Sequence, residues 1–234
     1  GVPMQSLEAE LERATALDVA DLADAIASIG FECTRCGACC TAEDDDPHTA
    51  TVFPDEVRDL QDATGDEWRD VARPMPYGLE DDGDESEEDG EDGDDDPNLT
   101  GETFEWALQT DGCGDCRFYA EDDDGTGACT VHEDRPLICR TYPFSVALGG
   151  TSQPMGEAVD EAGVVRAHEC EGLGRDIDRE HAEELAAALK ERAVREIEEA
   201  IAVRDAYEPV DPGDGVVVHD SEGAKRPDGT RHEG

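Results

Sequence analysis

Cationic side chains are scarce in this 234-residue chain. Its 18 Lys and Arg stand against 63 Asp and Glu, giving a formal charge of −45, and only Lys190 and Lys225 are lysines. A polyanion repels the phosphate backbone, and no basic patch relieves that repulsion, so nucleic-acid binding is not expected. An anionic membrane surface is disfavoured for the same reason. Long apolar runs are also missing: nothing approaches the roughly 18 consecutive apolar residues of a spanning helix, so no membrane association is expected. The opening GVPMQSLEAELER has neither the basic start nor the apolar core of an export signal, which predicts a cytoplasmic chain. There is no G-x-G-x-x-G after a strand, no P-loop and no G-x-S-x-G elbow, so nothing points to dinucleotide, nucleoside triphosphate or serine-hydrolase chemistry. Aromatic residues make up 5% of the chain and hydrophobic residues 37%, much of it Ala. Burial alone then supports a modest core, and a second source of cohesion is expected.

The acidity is spread along the chain as well as clustered. Glu80 to Pro97 holds 13 acids in 18 positions, so the rest of the chain still carries −45 + 13 = −32. Such a surface repels itself in dilute salt. At molar salt the Debye length falls to roughly 3 Å and the repulsion is screened. The acidity therefore reads as a halophilic adaptation. The rival reading, a surface built for an unidentified basic protein partner, is disfavoured because the charge is not confined to one face or tail.

Apolar residues at Leu7, Leu11, Leu17, Leu22, Ile26 and Ile29 form a helical stripe broken near Asp18 and stopped by Gly30. This predicts an N-terminal helical segment over residues 1–30. Pro54 at a first helical position, with Val57 and Leu60 inside and Gly65 at the end, predicts a short helix. Glu67 to Val71 adds a further turn. Glu80 to Pro97 is low in complexity and predicts a disordered acidic insertion. Short strands are expected near Thr103 to Leu108, Arg117 to Tyr119 and Phe144 to Leu148. Leu185, Leu189, Ile197 and Ile201 then predict a long C-terminal helix within residues 175–207. The Gly-, Pro- and Asp-rich stretch 208–234 is expected to be a flexible tail.

Nine cysteines remain: Cys33, Cys36, Cys39, Cys40, Cys113, Cys116, Cys129, Cys139 and Cys170. Scattered buried cysteines do not arrive as C-x-x-C-x-x-C-C. Disulfides need an oxidising compartment, and nine is an odd number. The vicinal pair Cys39-Cys40 is also poorly suited to bridging, since neighbouring Cα atoms lie about 3.8 Å apart and bridged ones usually about 4.4–6.8 Å. Metal ligation is the reading left. Two intervening residues let a tight turn aim both sulfurs at one ion, and Gly37 supplies the positive φ that such a knuckle favours. Cys113-Gly114-Asp115-Cys116 repeats the spacing.

FECTRCGACC, CRFY at Cys116, CTVHEDRPLICRTYPF from Cys129 and CEGLG at Cys170 together resemble the CxxCxxCC cysteine-cluster (YkgJ-like) family of zinc- or iron-chelating domains. The resemblance spans about Phe31 to Gly174. It implies a metal-binding domain over residues 31–174, interrupted by the insertion at 80–97. It also implies a ligand set of Cys33, Cys36, Cys39, Cys40, Cys116, Cys129, Cys139 and Cys170, with Cys113 additional to the pattern. His132 stands where the family often has Tyr, and is read as a neighbour of the site more than as a ligand. Arg135 and Arg140 read equally as compensators of thiolate charge and as parts of a rigid turn.

Zinc closes a tetrahedron of four ligands, whereas C-x2-C-x2-C with a remote fourth cysteine matches an iron–sulfur run such as that of [4Fe–4S] ferredoxins. Eight thiolates allow one or two sites. Cys39 and Cys40, if they point in different directions, serve different centres. The expected fold is a small metal-stapled α+β domain, with helices and short strands around cysteine-bearing loops, an N-terminal helix and a long C-terminal helix. The expected function is zinc or iron–sulfur binding by a non-enzyme. The resemblance reaches larger proteins such as flagellin lysine methylases, which implies group transfer as an alternative. A thiol redox role for Cys113 and Cys116 is a third reading, without the βαβ context of thioredoxins.

Overall fold

The computed structural model describes residues 6–42, 47–81, 99–148, 158–160, 163–213 and 215–232. All but the first two residues of the expected insertion at 80–97 lie outside them. The fold is α+β. Six α-helices occur among the described residues: α1 (Leu7–Thr15), α2 (Val19–Ile29), α3 (Pro54–Thr64), α4 (Trp68–Val71), α5 (Leu137–Thr141) and α6 (Arg179–Ala206). None is long and apolar enough to cross a membrane. The chain forms two compact units, Gly1–Cys40 with Tyr119–Ile201 and Thr41–Phe118 with Ala202–Gly234. The expected continuous domain 31–174 is therefore divided after Cys40 and after Phe118. The reason lies in strand pairing, because the last strands of the chain return to the middle of the sequence.

In the first unit the predicted N-terminal stripe is two helices. Ser6 caps α1 by accepting the Ala9 N–H at 3.3 Å. Asp18 Oδ1 accepts the N–H groups of Ala20 and Asp21, at 2.8 and 3.2 Å, and starts α2. The break near Asp18 is thus a cap. Leu22 and Ile26 pack with Phe31, Phe144, Val146, Val165 and the α6 residues Ala182, Leu185, Ala186, Leu189, Ala193 and Ile197 in one core. Alanines along α6 let its neighbours approach closely, and Phe31 meets Phe144 edge-to-face at 5.6 Å. Strands Phe144–Val146 and Ala158–Asp160 flank Val165–His168 in an antiparallel sheet. Arg192 of α6 is 2% exposed. Its guanidinium bonds Glu196 at 2.7 Å, Thr141 Oγ1 at 3.0 Å and the Phe144 carbonyl at 3.2 Å, fastening α6 to the end of α5, the helix that carries Cys139.

In the second unit, strand Trp106–Leu108 pairs antiparallel with both Thr51–Val52 and Ala72–Pro74. Glu56 Oε2 accepts the Phe53 N–H at 3.0 Å to start α3, and Gly65 ends it in the left-handed conformation. A further sheet corrects the expectation of a flexible tail at 208–234. Val216–Asp220 runs parallel to Leu99–Thr103 and antiparallel to Gly223–Lys225. Three consecutive valines, Val216 to Val218, favour a strand within a composition that otherwise reads as loop.

A buried ion pair holds that strand in place. Lys225 Nζ lies 2.7 Å from both Asp220 Oδ2 and Glu222 Oε2, and the Trp106 indole N–H donates to Asp220 Oδ2 at 2.8 Å. The ammonium also sits 5.1 Å above the Trp68 ring, which packs edge-to-face on Trp106 at 5.0 Å. Breaking such a pair from one side leaves an uncompensated buried charge. Lys225→Met should therefore destabilise the second unit by about 3–5 kcal/mol, read from denaturant midpoints. The hydrogen bond from Arg58, aided by Lys225, holds the Glu222 carboxyl down at about 2. A depressed carboxyl contributes stability above its unfolded value and loses it as pH falls toward the folded one. Stability should thus decline from about pH 4.5 downward, and Glu222→Gln should flatten that acid limb.

Candidate metal centre

All nine cysteines lie among the described residues, and none of them is in a disulfide. Seven belong to the first unit: Cys33, Cys36, Cys39, Cys40, Cys129, Cys139 and Cys170. The run Cys33–Cys40 follows α2 without regular secondary structure of its own, so contacts with distant segments set its path. Gly30 ends α2 with φ +80°, where a Cβ would meet the Arg175 carbonyl oxygen at 2.5 Å. Phe31 bridges to Leu173, the Glu32 N–H donates to the Gly172 carbonyl at 3.0 Å, and the Gly174 N–H donates to the Gly30 carbonyl at 3.0 Å. The start of the run is thereby fixed beside the segment that carries Cys170.

The middle of the run is fixed to a hairpin, Tyr119–Glu121 paired with Gly127–Cys129. The Gly127 N–H donates to the Arg35 carbonyl at 2.8 Å, and Arg35 Nε donates back to the Gly127 carbonyl at 3.1 Å. Arg35 itself has φ +59°, in the left-handed region. Gly37 follows at φ +81°, and the Cys40 N–H closes a turn onto its carbonyl at 2.7 Å. This turn brings the Cys39 and Cys40 sulfurs to 3.8 Å. The two sulfurs therefore stand side by side, correcting the expectation that they point in different directions.

The electrostatics are those of crowded thiols. A hydrogen bond with Cys40, the Cys39 N–H and the Arg135 guanidinium bring the Cys39 thiol down to about 7, against a partial burial that opposes them. Burial pushes the Cys129 thiol up, and the charge of Cys39 adds to this while the Val131 N–H and Arg135 oppose it. Burial also pushes Cys170 up, helped by Cys36, Cys39 and Cys33 and opposed by the Gly172 N–H, which donates to Cys170 Sγ at 3.4 Å. Arg135 is aimed by its own Nε, which donates to the His132 carbonyl at 3.0 Å. His132 is exposed and bonds Glu133 at 3.2 Å. Cys139 sits on α5, its N–H bonded to the Pro136 carbonyl at 3.0 Å.

Cys113 and Cys116 belong to the second unit. Asp111 Oδ1 accepts the N–H groups of Cys113 and Asp115, at 2.8 and 3.1 Å. Cys116 is buried and bridges to Thr110, while Cys113 is exposed. Gly114, with φ +85°, lies against Ala42 and Pro47.

Among the described residues no three His, Cys, Asp or Glu side chains are yet arranged to hold a metal ion. The donor chemistry nonetheless fits one. Seven thiols in one unit are soft ligands. Two ligands of a tetrahedral Zn²⁺, each about 2.3 Å from the metal, stand about 3.8 Å apart, which is the Cys39–Cys40 separation. The cysteines were visible in the sequence. The backbone partners of the run, Gly127 and Gly172, were not, because a glycine signals a close approach without naming the chain that makes it.

The model of the CxxCxxCC family, described as a "putative zinc- or iron-chelating domain", matches residues 32–171. No curated protein and no solved structure matches the chain. Elemental analysis of desalted variants tests the ranking of the thiols. Cys36→Ser should lower bound metal sharply, and Cys113→Ser should lower it less. Equal losses would place Cys113 in the ligand set.

Proposed function

The chain belongs to the CxxCxxCC family, and from that premise we propose that it is a metal-binding protein whose cysteine run chelates a single ion such as Zn²⁺. The Cys39–Cys40 sulfur separation of 3.8 Å carries this reading. It matches one edge of a tetrahedron around a single ion, whereas a [4Fe–4S] cluster places each of its four protein thiolates on a different iron. Two of Cys33, Cys36, Cys129, Cys139 and Cys170 supply the remaining thiolates of that tetrahedron from the same unit. Four thiolates on Zn²⁺ leave a charge of −2, and Arg135 is the guanidinium that acts on Cys39 and Cys129. Bound zinc supplies cohesion to a run that has no secondary structure. The C-x2-C-x2-C spacing of Cys33, Cys36 and Cys39 favours a second reading, an iron–sulfur cluster.

Anaerobic purification followed by metal analysis and a visible spectrum separates the two. Stoichiometric zinc with no visible absorption supports the first reading, and iron with acid-labile sulfide and a brown chromophore supports the second. A chain that holds neither metal when purified or reconstituted overturns both. Because structural metal binding contributes directly to folding, chelation should also abolish hydrogen-exchange protection across residues 33–40. The core formed by Leu22, Ile26, Phe144 and Leu189 should retain most of its protection, since it is built from apolar burial. Unchanged exchange at residues 33–40 after complete metal removal would contradict this.

A further inference from the structure

The hairpin that meets the cysteine run contributes a side chain as well as backbone. Tyr119 is the direct cross-strand partner of Cys129, so the two side chains leave the same face of the ladder as neighbours. The Tyr119 ring also lies where a Cβ on Gly37 would be, overlapping its phenol oxygen and ring carbons. A Cβ on Gly127 would in turn meet Tyr119 Cε2 at 2.8 Å and the Arg35 carbonyl at 2.9 Å. Both glycines are buried. The phenol is oriented by its hydroxyl, which donates to Glu121 Oε1 at 2.6 Å. One aromatic ring thus fills the space left by two absent side chains. One of those glycines lies between Cys36 and Cys39, and the other is two residues before Cys129.

We propose that Tyr119 is a positioning residue of the metal centre, a wedge that sets the distance between the Cys36–Cys39 turn and Cys129. The proposal rests on the metal-chelating reading of these cysteines. The ring touches the backbone of the run and stands beside Cys129, and it supplies no ligand atom of its own. A smaller side chain at 119 leaves the turn without its stop, so thiolates from the two segments reach one ion less often in the correct arrangement. Residues that orient metal ligands typically change affinity by about 10–100-fold when replaced. The hydroxyl orients the ring through Glu121 and its oxygen adds to the contact with Gly37, while the ring carbons supply most of the bulk, so a phenylalanine retains most of the function.

Cobalt(II) titration of the metal-free full-length chain tests this, because thiolate-to-cobalt charge-transfer absorption reports how many sulfurs reach the ion. Wild-type chain is expected to bind Co²⁺ with strong thiolate absorption. Tyr119→Ala should weaken affinity about 10-fold or more and reduce that absorption per bound cobalt, while Tyr119→Phe stays close to wild type. Tyr119→Ala with unchanged affinity and spectrum overturns the proposal, as does Tyr119→Phe losing as much as Tyr119→Ala. If circular dichroism shows that Tyr119→Ala does not fold, Tyr119→Leu decides: a loss of thiolate absorption that Tyr119→Phe does not share supports the wedge, and a wild-type spectrum overturns it. A wild-type chain that takes up no cobalt at all overturns the metal-chelating reading itself, an outcome distinct from any difference among variants.

Discussion

Thiolates are costly both to bury and to crowd together, and that cost is the constraint around which the first unit is arranged. Burial does most to raise the energy of an ionised Cys170 and Cys129, and nearby sulfurs add to it: Cys36, Cys39 and Cys33 at Cys170, and Cys39 at Cys129. Sulfurs that repel cannot assemble themselves, so the backbone has to gather them. The fold does this with contacts that involve no sulfur: the Phe31–Leu173 bridge on one side of the run and the reciprocal Arg35–Gly127 bonds on the other. The hydrophobic core then fixes the segments those contacts reach. Leu22 and Ile26 hold the helix that delivers Cys33, and Arg192 holds the end of the helix that carries Cys139. Arg135 and the Gly172 N–H offset part of the repulsion locally.

The same economy of positive charge governs the second unit. With 63 acidic side chains to 18 Lys and Arg, there are too few of these cations to give each acid its own. The few cations therefore reveal which acids matter for folding. Lys225 lies between Asp220 and Glu222, Arg58 reaches Glu222, and Arg117 reaches Asp66 at 2.7 Å. Asp220 is the most demanding of these, because it is buried with Trp106 and Lys225 as its partners. Surface pairs such as Arg117–Asp66 contribute little by comparison.

Elements built from local signals were legible in the sequence. The periodicity of α2, α3 and α6 appears where spacing places it, and Asp18, which reads as a break in the sequence, is a helix start because its carboxylate reaches two backbone N–H groups. Non-local pairing was not legible. Val216–Asp220 pairs in parallel with Leu99–Thr103, and no pattern within residues 208–234 announces a partner more than a hundred residues away. The candidate centre divides along the same line. Cysteine spacing reveals the donors, but the side-by-side placement of Cys39 and Cys40 depends on a turn that the Cys40 N–H closes onto the Gly37 carbonyl. The split of the cysteines between two units also follows from where strands pair, which the cysteine pattern does not encode.

The two lysines have a practical corollary. Lys225 is 3% exposed with its ammonium engaged by two carboxylates, and Lys190 Nζ donates to the Leu17 carbonyl at 2.7 Å. Neither presents an idle amine to solvent. Conjugation chemistry aimed at lysine, whether an enzymatic acyl transfer or a cross-linking ester, meets a chain whose side-chain amines are already occupied in holding it together. Acylation of Lys225 would then report local opening of the Gly223–Lys225 strand, turning a scarce residue into a built-in gauge of that strand's integrity.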